Sequence, residues 1–220
     1  EHSRAVYALW KEAGAVRFLL KHETVDPKLY AALHPGHELA ERISCLRILQ
    51  RLGYEIGSGF MVGLPGQRPE TLADDIILSR RLGVSMCGAG PFIAQHDTPL
   101  GGYPSGSAQL ALRVMAVMRI VMPWANIPAT TALATVDALG GQRNGLLAGG
   151  NVLMPSFTPP AYGKQYRIYD NKNRVDMLGA RKAIEGAGRS HSLADWQPPA
   201  AQDAIARAAP VASSLSCMPA

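Results

Sequence analysis

The 220-residue sequence has few cysteines, few aromatic residues and no long apolar segment. Its three cysteines, Cys45, Cys87 and Cys217, are far apart and form no CxxC pair. Such a sparse, odd set does not build a disulfide framework, so we expect a reducing, cytoplasmic location. The most apolar helix candidate, residues 110–122, contains two arginines and is too short to cross a bilayer. The sequence therefore predicts no disulfide scaffold and no membrane partner.

The positive charge is concentrated in one segment. The net charge is +5, and residues 160–190 hold seven basic against three acidic residues. Because no long basic run and no nucleic-acid-binding module accompanies them, a solvated face is favoured over a nucleic-acid surface. We therefore expect no nucleic-acid partner.

Short apolar runs alternate with helical stretches along the chain. This alternation predicts an α/β fold of βα units around a parallel sheet. Five units make a partial (β/α)8 TIM-type barrel, three units short of a closed one, and such barrels place their chemistry at the carboxyl ends of the strands. The predicted strands are residues 16–22, 56–64, 86–93, 127–133 and 151–155. The predicted helices are residues 4–14, 39–52, 71–82, 108–122, 141–148 and 160–169.

The chain divides into two parts. Residues 1–192 contain all the predicted elements, whereas residues 193–220 are rich in alanine and proline and have little apolar periodicity. The sequence therefore predicts a folded partial barrel followed by a mostly disordered tail.

Polar residues follow the first two strands. By strand alternation, Lys21 and Glu23 point toward the barrel mouth while His22 points away, although a surface charge cluster would look the same. The loop at residues 63–67, GLPGQ, has glycines that either admit a ligand to the backbone or form a tight turn. It lacks the lysine and hydroxyl spacing of a phosphate-binding loop, which argues against a nucleoside triphosphate.

Other polar and flexible side chains lie at or near strand ends. Thr130 and Thr131 suit a small polar ligand, but threonine is also common in strands. Met154 reads as core filler. Arg17 lies in a strand that otherwise reads as buried, so it needs a partner or a ligand anion. Arg42 reads as an exposed helix arginine.

The tyrosines and acids of two helices have structural interpretations. Tyr162, Tyr166 and Tyr169 fall at i, i+4 and i+7, which is more typical of core packing than of a ligand site. Asp74 and Asp75 are predicted in the first turn of their helix, where the dipole favours acids. No Ser/His/Asp order, HExxH or Cys/His metal spacing occurs, so residue chemistry alone predicts no catalytic and no metal-binding residue.

Five segments together resemble the radical S-adenosylmethionine maturases of the HydE family, which act in assembly of the FeFe-hydrogenase active site. The GLPGQ segment is shared by many radical S-adenosylmethionine enzymes, whereas HET followed by PATTA and MPxxTPxxY is far more specific. The resemblance covers residues 1–169, and a weaker resemblance continues to residue 191. Biotin synthase and methylornithine synthase are the related families most easily confused with the HydE family. The segments are KHETVDPKLYAALHPG, LGYEIGSGFMVGLPGQ, GAGPFIAQHDTPL, NIPATTALAT and NVLMPSFTPPAYGKQY.

The resemblance implies a (β/α)8 barrel in which a reduced 4Fe-4S cluster cleaves S-adenosylmethionine to a 5′-deoxyadenosyl radical. Glu23, Arg42 and Met86 would bind S-adenosylmethionine, with Arg42 pairing with its carboxylate. The substrate would be a small iron complex or an amino-acid-like molecule, and other hydrogenase maturation proteins would be partners. Lys21 replaces the usual arginine of an RHE motif and loses its fork geometry. The implied substrate-binding residues are Arg17, Lys21, Thr130, Thr131, Met154, Tyr166 and Tyr169.

The largest departure from the family is the absence of a CxxxCxxC segment. The resemblance aligns Glu1 just after the third barrel strand, so the cluster-binding loop would precede it. We therefore expect this chain alone to bind no cluster and to lack catalysis. Two alternatives stay open: a relative acting on an amino-acid-like substrate, and a non-catalytic open barrel that binds a partner supplying the missing strands.

Overall fold

A computed structural model of the chain describes residues 1–163, 165 and 168–191. Its strands are β1 (Arg17–Leu19), β2 (Glu55–Val62) and β3 (Met86–Pro91). Its helices are α1 (Arg4–Glu12), α2 (Pro27–Leu33), α3 (Leu39–Arg51), α4 (Pro69–Arg81), α5 (Ala108–Val121), α6 (Thr131–Val136), α7 (Gly141–Leu147), α8 (Pro160–Gly163) and α9 (Met177–Gly186). The predicted tail, residues 193–220, lies outside the described residues.

The three strands pair in parallel in the order β1-β2-β3. Gly57 of β2 lies opposite both Leu19 and Met86. Two isolated parallel bridges, Met86 with Asn126 and Pro128 with Val152, extend the same order beyond β3. Five parallel segments therefore follow one another in chain order, and the predicted α/β architecture is confirmed.

The predicted fourth strand, residues 127–133, is wrong in its second half. Pro128 makes only an isolated bridge, and as a proline it has no N–H to donate to a ladder. The Thr130 hydroxyl instead accepts a hydrogen bond from the Leu133 N–H at 3.2 Å and caps the start of α6. The fifth predicted strand is likewise reduced to a bridge at Val152.

The helix predicted over residues 160–169 is also wrong, because α8 ends at Gly163. Ile168 and Tyr169 lie in a bend, so Tyr162 and Tyr169 share no continuous helical face. The prediction also missed three helices, α2, α6 and α9. Helix α2 has a sequence signal that could have revealed it: the Asp26 carboxylate accepts hydrogen bonds from two backbone N–H groups, and Pro27 occupies the first helical turn.

The core lies between one face of the sheet and the helices that cover it. Leu46 and Leu49 of α3, Phe60 of β2 and Met115 of α5 are fully buried there. Alternation along the strands sends intervening residues to the other face of the sheet, where glycines replace bulky side chains in β2 and β3. Among the described residues, no helix is long and apolar enough to span a membrane.

Arg119 ties the end of α5 to the segments that follow the sheet. Its guanidinium donates to the carbonyl oxygens of Gly149 and Pro123, both at 2.8 Å, and to the side-chain oxygen of Asn151 at 3.0 Å. We expect Arg119→Ala to lower the free energy of unfolding by about 2 kcal/mol, since hydrogen bonds from a charged donor are lost. Thermal unfolding monitored by circular dichroism measures the loss. Arg113→Ala, an exposed position of the same helix, is the control and should change little.

Candidate functional site

Lys21 and Glu23 lie together just after the carboxyl end of β1. Lys21 Nζ is 3.1 Å from Glu23 Oε2, and the two side chains are 35% and 18% exposed. His22 between them is fully buried and contacts Ser58 on the opposite side of the strand. This arrangement is the one that strand alternation predicts. A cation and a carboxylate thus share the strand end where barrel enzymes place their chemistry.

Glu23 has a left-handed backbone conformation, with φ of 64°. Its N–H donates to the carbonyl oxygen of Gly59, and its carbonyl oxygen accepts from the N–H of Met61, both at 3.0 Å. A left-handed glutamate is energetically unfavourable and persists only where its surroundings hold it. The side chain of Glu23 is therefore aimed by its backbone contacts with β2.

Arg42 of α3 already binds a carboxylate in this structure. Its Nε donates to Glu1 Oε1 at 2.6 Å, and its Nη1 donates to the carbonyl oxygen of Lys21 at 2.9 Å. Burial raises the pKa of Glu1, but the hydrogen bond and charge of Arg42 outweigh it and hold that pKa below the ordinary value. The ion pair therefore stabilises the fold above the ordinary carboxyl pKa, and acidification through the lowered pKa removes that contribution.

Two buried polar atoms near Arg42, Tyr30 Oη and His34 Nε2, have no hydrogen-bond partner within the part of the chain that the structure describes. Glu23 Oε2 is also buried, and Lys21 Nζ contacts it in the ion pair described above. The Arg42 guanidinium lies 5.6 Å from the centre of the Tyr30 ring, which is 4.7 Å from that of His34. Burial and the nearby Arg42 lower the pKa of His34, which favours its neutral form. Sequence reasoning missed Tyr30 and His34, although both lie in the segment KHETVDPKLYAALHPG, because their spacing is that of ordinary helix packing.

His22 and Asp75 form a buried pair behind Glu23. His22 Nε2 is 3.2 Å from Asp75 Oδ1, and both side chains are fully buried. Burial raises the pKa of Asp75, against the lowering effect of His22. The prediction that Asp74 and Asp75 lie in the first helical turn is wrong, because α4 begins at Pro69 and the acidic residue of its first turn is Glu70. Only the fold brings Asp75 within reach of a residue 53 positions earlier.

The other residues implied on the sheet are spread along it. Arg17 begins β1, at the end away from Glu23, and its exposed side chain lies 3.1 Å from the Glu55 carboxylate. Met86 is the register partner of Gly57 on β2, whereas Glu23 bridges to Phe60, three residues further along the same strand. At about 3.3 Å per residue, this offset separates Met86 from Glu23 by roughly 10 Å along the strand direction. The structure therefore does not place Met86 beside Glu23.

The remaining implied substrate residues follow the last two segments of the sheet. Thr130 caps α6, and Thr131 is the first residue of that helix. Met154 is half exposed. Tyr169 is partly buried, which raises its pKa. Tyr166 lies outside the described residues.

The loop at residues 63–67 is closed by its own glutamine. Gln67 Oε1 accepts from the N–H groups of Gly63 at 2.7 Å and Leu64 at 3.3 Å, and Nε2 donates to the carbonyl oxygen of Met61 at 2.9 Å. These backbone donors are therefore occupied. Of the two interpretations left open by the sequence, the contacts favour a tight turn.

The described cysteines are not arranged for metal binding. Cys45 and Cys87 are buried free thiols, Cys217 lies outside the described residues, and burial raises the pKa of Cys87 to about 12. Within residues 1–163, 165 and 168–191, no three His, Cys, Asp or Glu side chains come together as a metal site. A thiolate ligand set is not preformed here.

The raised pKa of Cys87 predicts resistance to alkylation. At pH 8.5 its thiol stays protonated and buried, so iodoacetamide should leave Cys87 unmodified in the folded chain and modify it fully in denaturant. Mass spectrometry of the peptide containing Cys87 measures the modified fraction. Rapid modification of the folded chain would contradict the buried placement.

Comparison with known proteins identifies the family. No family model matches the chain. The FeFe hydrogenase maturase subunit HydE of Thermotoga maritima is 45% identical over 204 residues, covering 86% of this chain and 58% of its own length. The 3-methylornithine synthase of Methanosarcina acetivorans is 29% identical over 182 residues, covering 81% and 51%, and the biotin synthase of Desulforudis audaxviator is 29% identical over 136 residues, covering 62% and 38%.

The solved structure of methylornithine synthase (PylB) matches with a TM-score of 0.67 and 25% identity, over 93% of this chain and 58% of that one. The predicted partial barrel of the radical S-adenosylmethionine type is confirmed by this match. The chain spans little more than half the length of the HydE and 3-methylornithine synthase relatives, and 38% of the biotin synthase. It therefore belongs to the radical S-adenosylmethionine superfamily and, over the 204 aligned residues, to its HydE type.

Proposed function

We propose that this chain is the part of a HydE-type maturase that holds S-adenosylmethionine and lines the substrate cavity, in an enzyme that assembles the FeFe-hydrogenase active site. The observation that carries the proposal is the grouping of Lys21, Glu23 and Arg42 at one strand end, next to buried Tyr30 and His34 atoms that have no hydrogen-bond partner among the described residues. The 45% identity to a HydE supports the substrate class.

The residues present fit S-adenosylmethionine. Arg42 already holds a carboxylate, that of Glu1, so its guanidinium is placed to bind the carboxylate of a ligand. Glu23 Oε2 has spare acceptor capacity for a ligand hydroxyl or ammonium, and Tyr30 Oη and His34 Nε2 offer further polar contacts. When bound and reduced, S-adenosylmethionine supplies a 5′-deoxyadenosyl radical; these side chains bind and orient it.

The residues present do not fit a 4Fe-4S cluster. A cluster of this family needs three neighbouring thiolates, whereas this sequence has three cysteines at widely separated positions and no CxxxCxxC. Cys87 in addition is buried and held as a thiol. We therefore propose that the cluster-binding segment belongs to another part of the enzyme.

We propose that the glycine-lined face of the sheet borders the substrate cavity. Arg17, Lys21 and Thr130 lie along that face, where Gly59 and Gly90 project no side chain. Cationic and hydroxyl groups suit an anionic, amino-acid-bearing iron complex. Methylornithine synthase and biotin synthase are also relatives, so an amino-acid-like organic substrate is the second candidate.

Equilibrium dialysis of the 220-residue chain with labelled S-adenosylmethionine tests the binding role. We expect saturable binding that Glu23→Ala weakens at least tenfold, while Glu12→Ala, an exposed glutamate of α1, leaves it unchanged. Iron analysis after anaerobic cluster reconstitution should find no stoichiometric cluster on this chain. Absence of saturable binding would contradict the proposed binding of S-adenosylmethionine. A stoichiometric cluster would contradict the proposal that another part of the enzyme binds the cluster.

A further inference from the structure

A buried polar cluster lies directly behind Glu23. It consists of His22 of the β1 end, Ser58 of β2 and Asp75 of α4, and all three side chains are fully buried. His22 Nδ1 is 2.9 Å from Ser58 Oγ, and His22 Nε2 is 3.2 Å from Asp75 Oδ1. Ser58 Oγ also donates to the carbonyl oxygen of Leu20 at 2.9 Å. Since the hydroxyl proton is used there, Ser58 Oγ accepts from His22 Nδ1–H.

The cluster fixes the chain on both sides of Glu23 through one oxygen atom. Asp75 Oδ1 contacts the ring of His22, the residue before Glu23, and accepts from the N–H of Val25, two residues after it, at 2.6 Å. Between these two anchored points Glu23 takes its left-handed conformation. Such a conformation requires surroundings that over-determine it, and Asp75 supplies two of the restraints.

We infer that Asp75 is a positioning residue, which holds Glu23 in its left-handed conformation by binding both His22 and the Val25 backbone. The inference rests on the proposed role of Glu23 in binding S-adenosylmethionine. It makes α4, a helix on the outer side of the sheet, part of the binding machinery on the inner side. Asp75 itself touches no ligand, because its side chain is enclosed by the fold.

Substitutions of Asp75 can separate the effect of its shape from the effect of its charge. Asparagine has nearly the same shape as aspartate, and its Oδ1 in the place of the aspartate oxygen still accepts from Val25 N–H. Because that same oxygen faces His22 Nε2, the amide nitrogen lies at the position of Asp75 Oδ2 and does not take over the contact with His22. Burial disfavours the ionised form of Asp75, so the neutral amide suits the site. Asp75→Asn should therefore keep the restraint on Val25, whereas Asp75→Ala removes both restraints.

The experiment compares four variants of the full 220-residue chain by two measurements. These are amide hydrogen exchange at Glu23 and Thr24, and the affinity for S-adenosylmethionine. Asp75→Ala should raise exchange at both amides and weaken binding at least tenfold, and Asp75→Asn, which keeps one of the two restraints, should change both measurements less than Asp75→Ala does. Asp74→Ala, the exposed neighbour, should change neither. Ile76→Ala removes a buried side chain of the same helix, so it provides the destabilised control.

The positioning role is overturned if Asp75→Ala changes exchange at Glu23 and affinity no more than Ile76→Ala does. Hydrogen exchange decides this even if the unaltered chain binds no S-adenosylmethionine, a result that would instead contradict the proposed function. Should Asp75→Ala fail to fold, Ser58→Ala takes its place, since it removes the contact of His22 Nδ1 together with the hydrogen bond to the Leu20 carbonyl oxygen. Faster exchange at Glu23 in that variant supports the inference, and unchanged exchange overturns it.

Discussion

Gly59→Ala should be the most destabilising small substitution in the sheet. A β-carbon at residue 59 would lie 2.2 Å from the carbonyl oxygen of Gly88 and 3.0 Å from its carbonyl carbon. These are backbone atoms of the paired strand, so no side chain can rotate away and the strands must separate locally. We expect the free energy of unfolding to fall by about 3 kcal/mol or more, beyond the usual range for overpacking. For a chain of this size that corresponds to a fall in Tm of roughly 10 °C.

Gly88→Ala is the matched control, because Gly88 is the register partner of Gly59 on β3. Its β-carbon would lie 3.7 Å from the Pro128 ring, an ordinary van der Waals contact. Both substitutions remove the same backbone freedom from the unfolded chain, so that effect cancels between them. Gly88→Ala should stay within about 1 kcal/mol of the unaltered chain. Equal losses for the two variants would show that the strands do not pair as described.

Local signals predicted the elements that local forces determine. The apolar spacing of α3 and the glycine after it placed that helix to within one residue, and strand alternation separated Lys21 and Glu23 from His22. The prediction failed where one side chain had two possible uses. Thr130 has a β-branched side chain that favours strands, yet its hydroxyl caps α6, because Pro128 had already interrupted the ladder.

The parts of the site that the sequence did not reveal depend on long-range contacts. Asp75 meets the Val25 N–H across 50 residues, and no spacing rule connects the two. Tyr30 and His34 lie one helical turn apart, which reads as ordinary packing until the fold places them beside Arg42. The motif resemblance identified Glu23 and Arg42, whereas the side chains that surround them required the structure.

Arg42→Ala is expected to produce the largest loss of affinity for S-adenosylmethionine, at least tenfold and thus about 1.4 kcal/mol or more. The Arg42 side chain is only 16% exposed, and its contact with a ligand carboxylate would be a charge-assisted hydrogen bond in a partly desolvated site. Arg42→Lys should recover part of the affinity, since it keeps the charge but loses the planar fork. Arg47→Ala, at an exposed position of the same helix, is the control and should bind normally.

The contact between Arg42 and Glu1 predicts that a second substitution, at Glu1, raises the affinity for S-adenosylmethionine. Glu1 Oε1 occupies Arg42 Nε at 2.6 Å, and the lowered pKa of Glu1 keeps that carboxylate ionised at neutral pH. It therefore competes with a ligand carboxylate for the same guanidinium, and Glu1→Gln should raise the affinity for S-adenosylmethionine severalfold. In the Arg42→Ala background the same substitution should have no effect, because the site of competition is gone. Calorimetric titration of the four chains measures this coupling. Equal effects of Glu1→Gln in both backgrounds would show that Arg42 is not the carboxylate site.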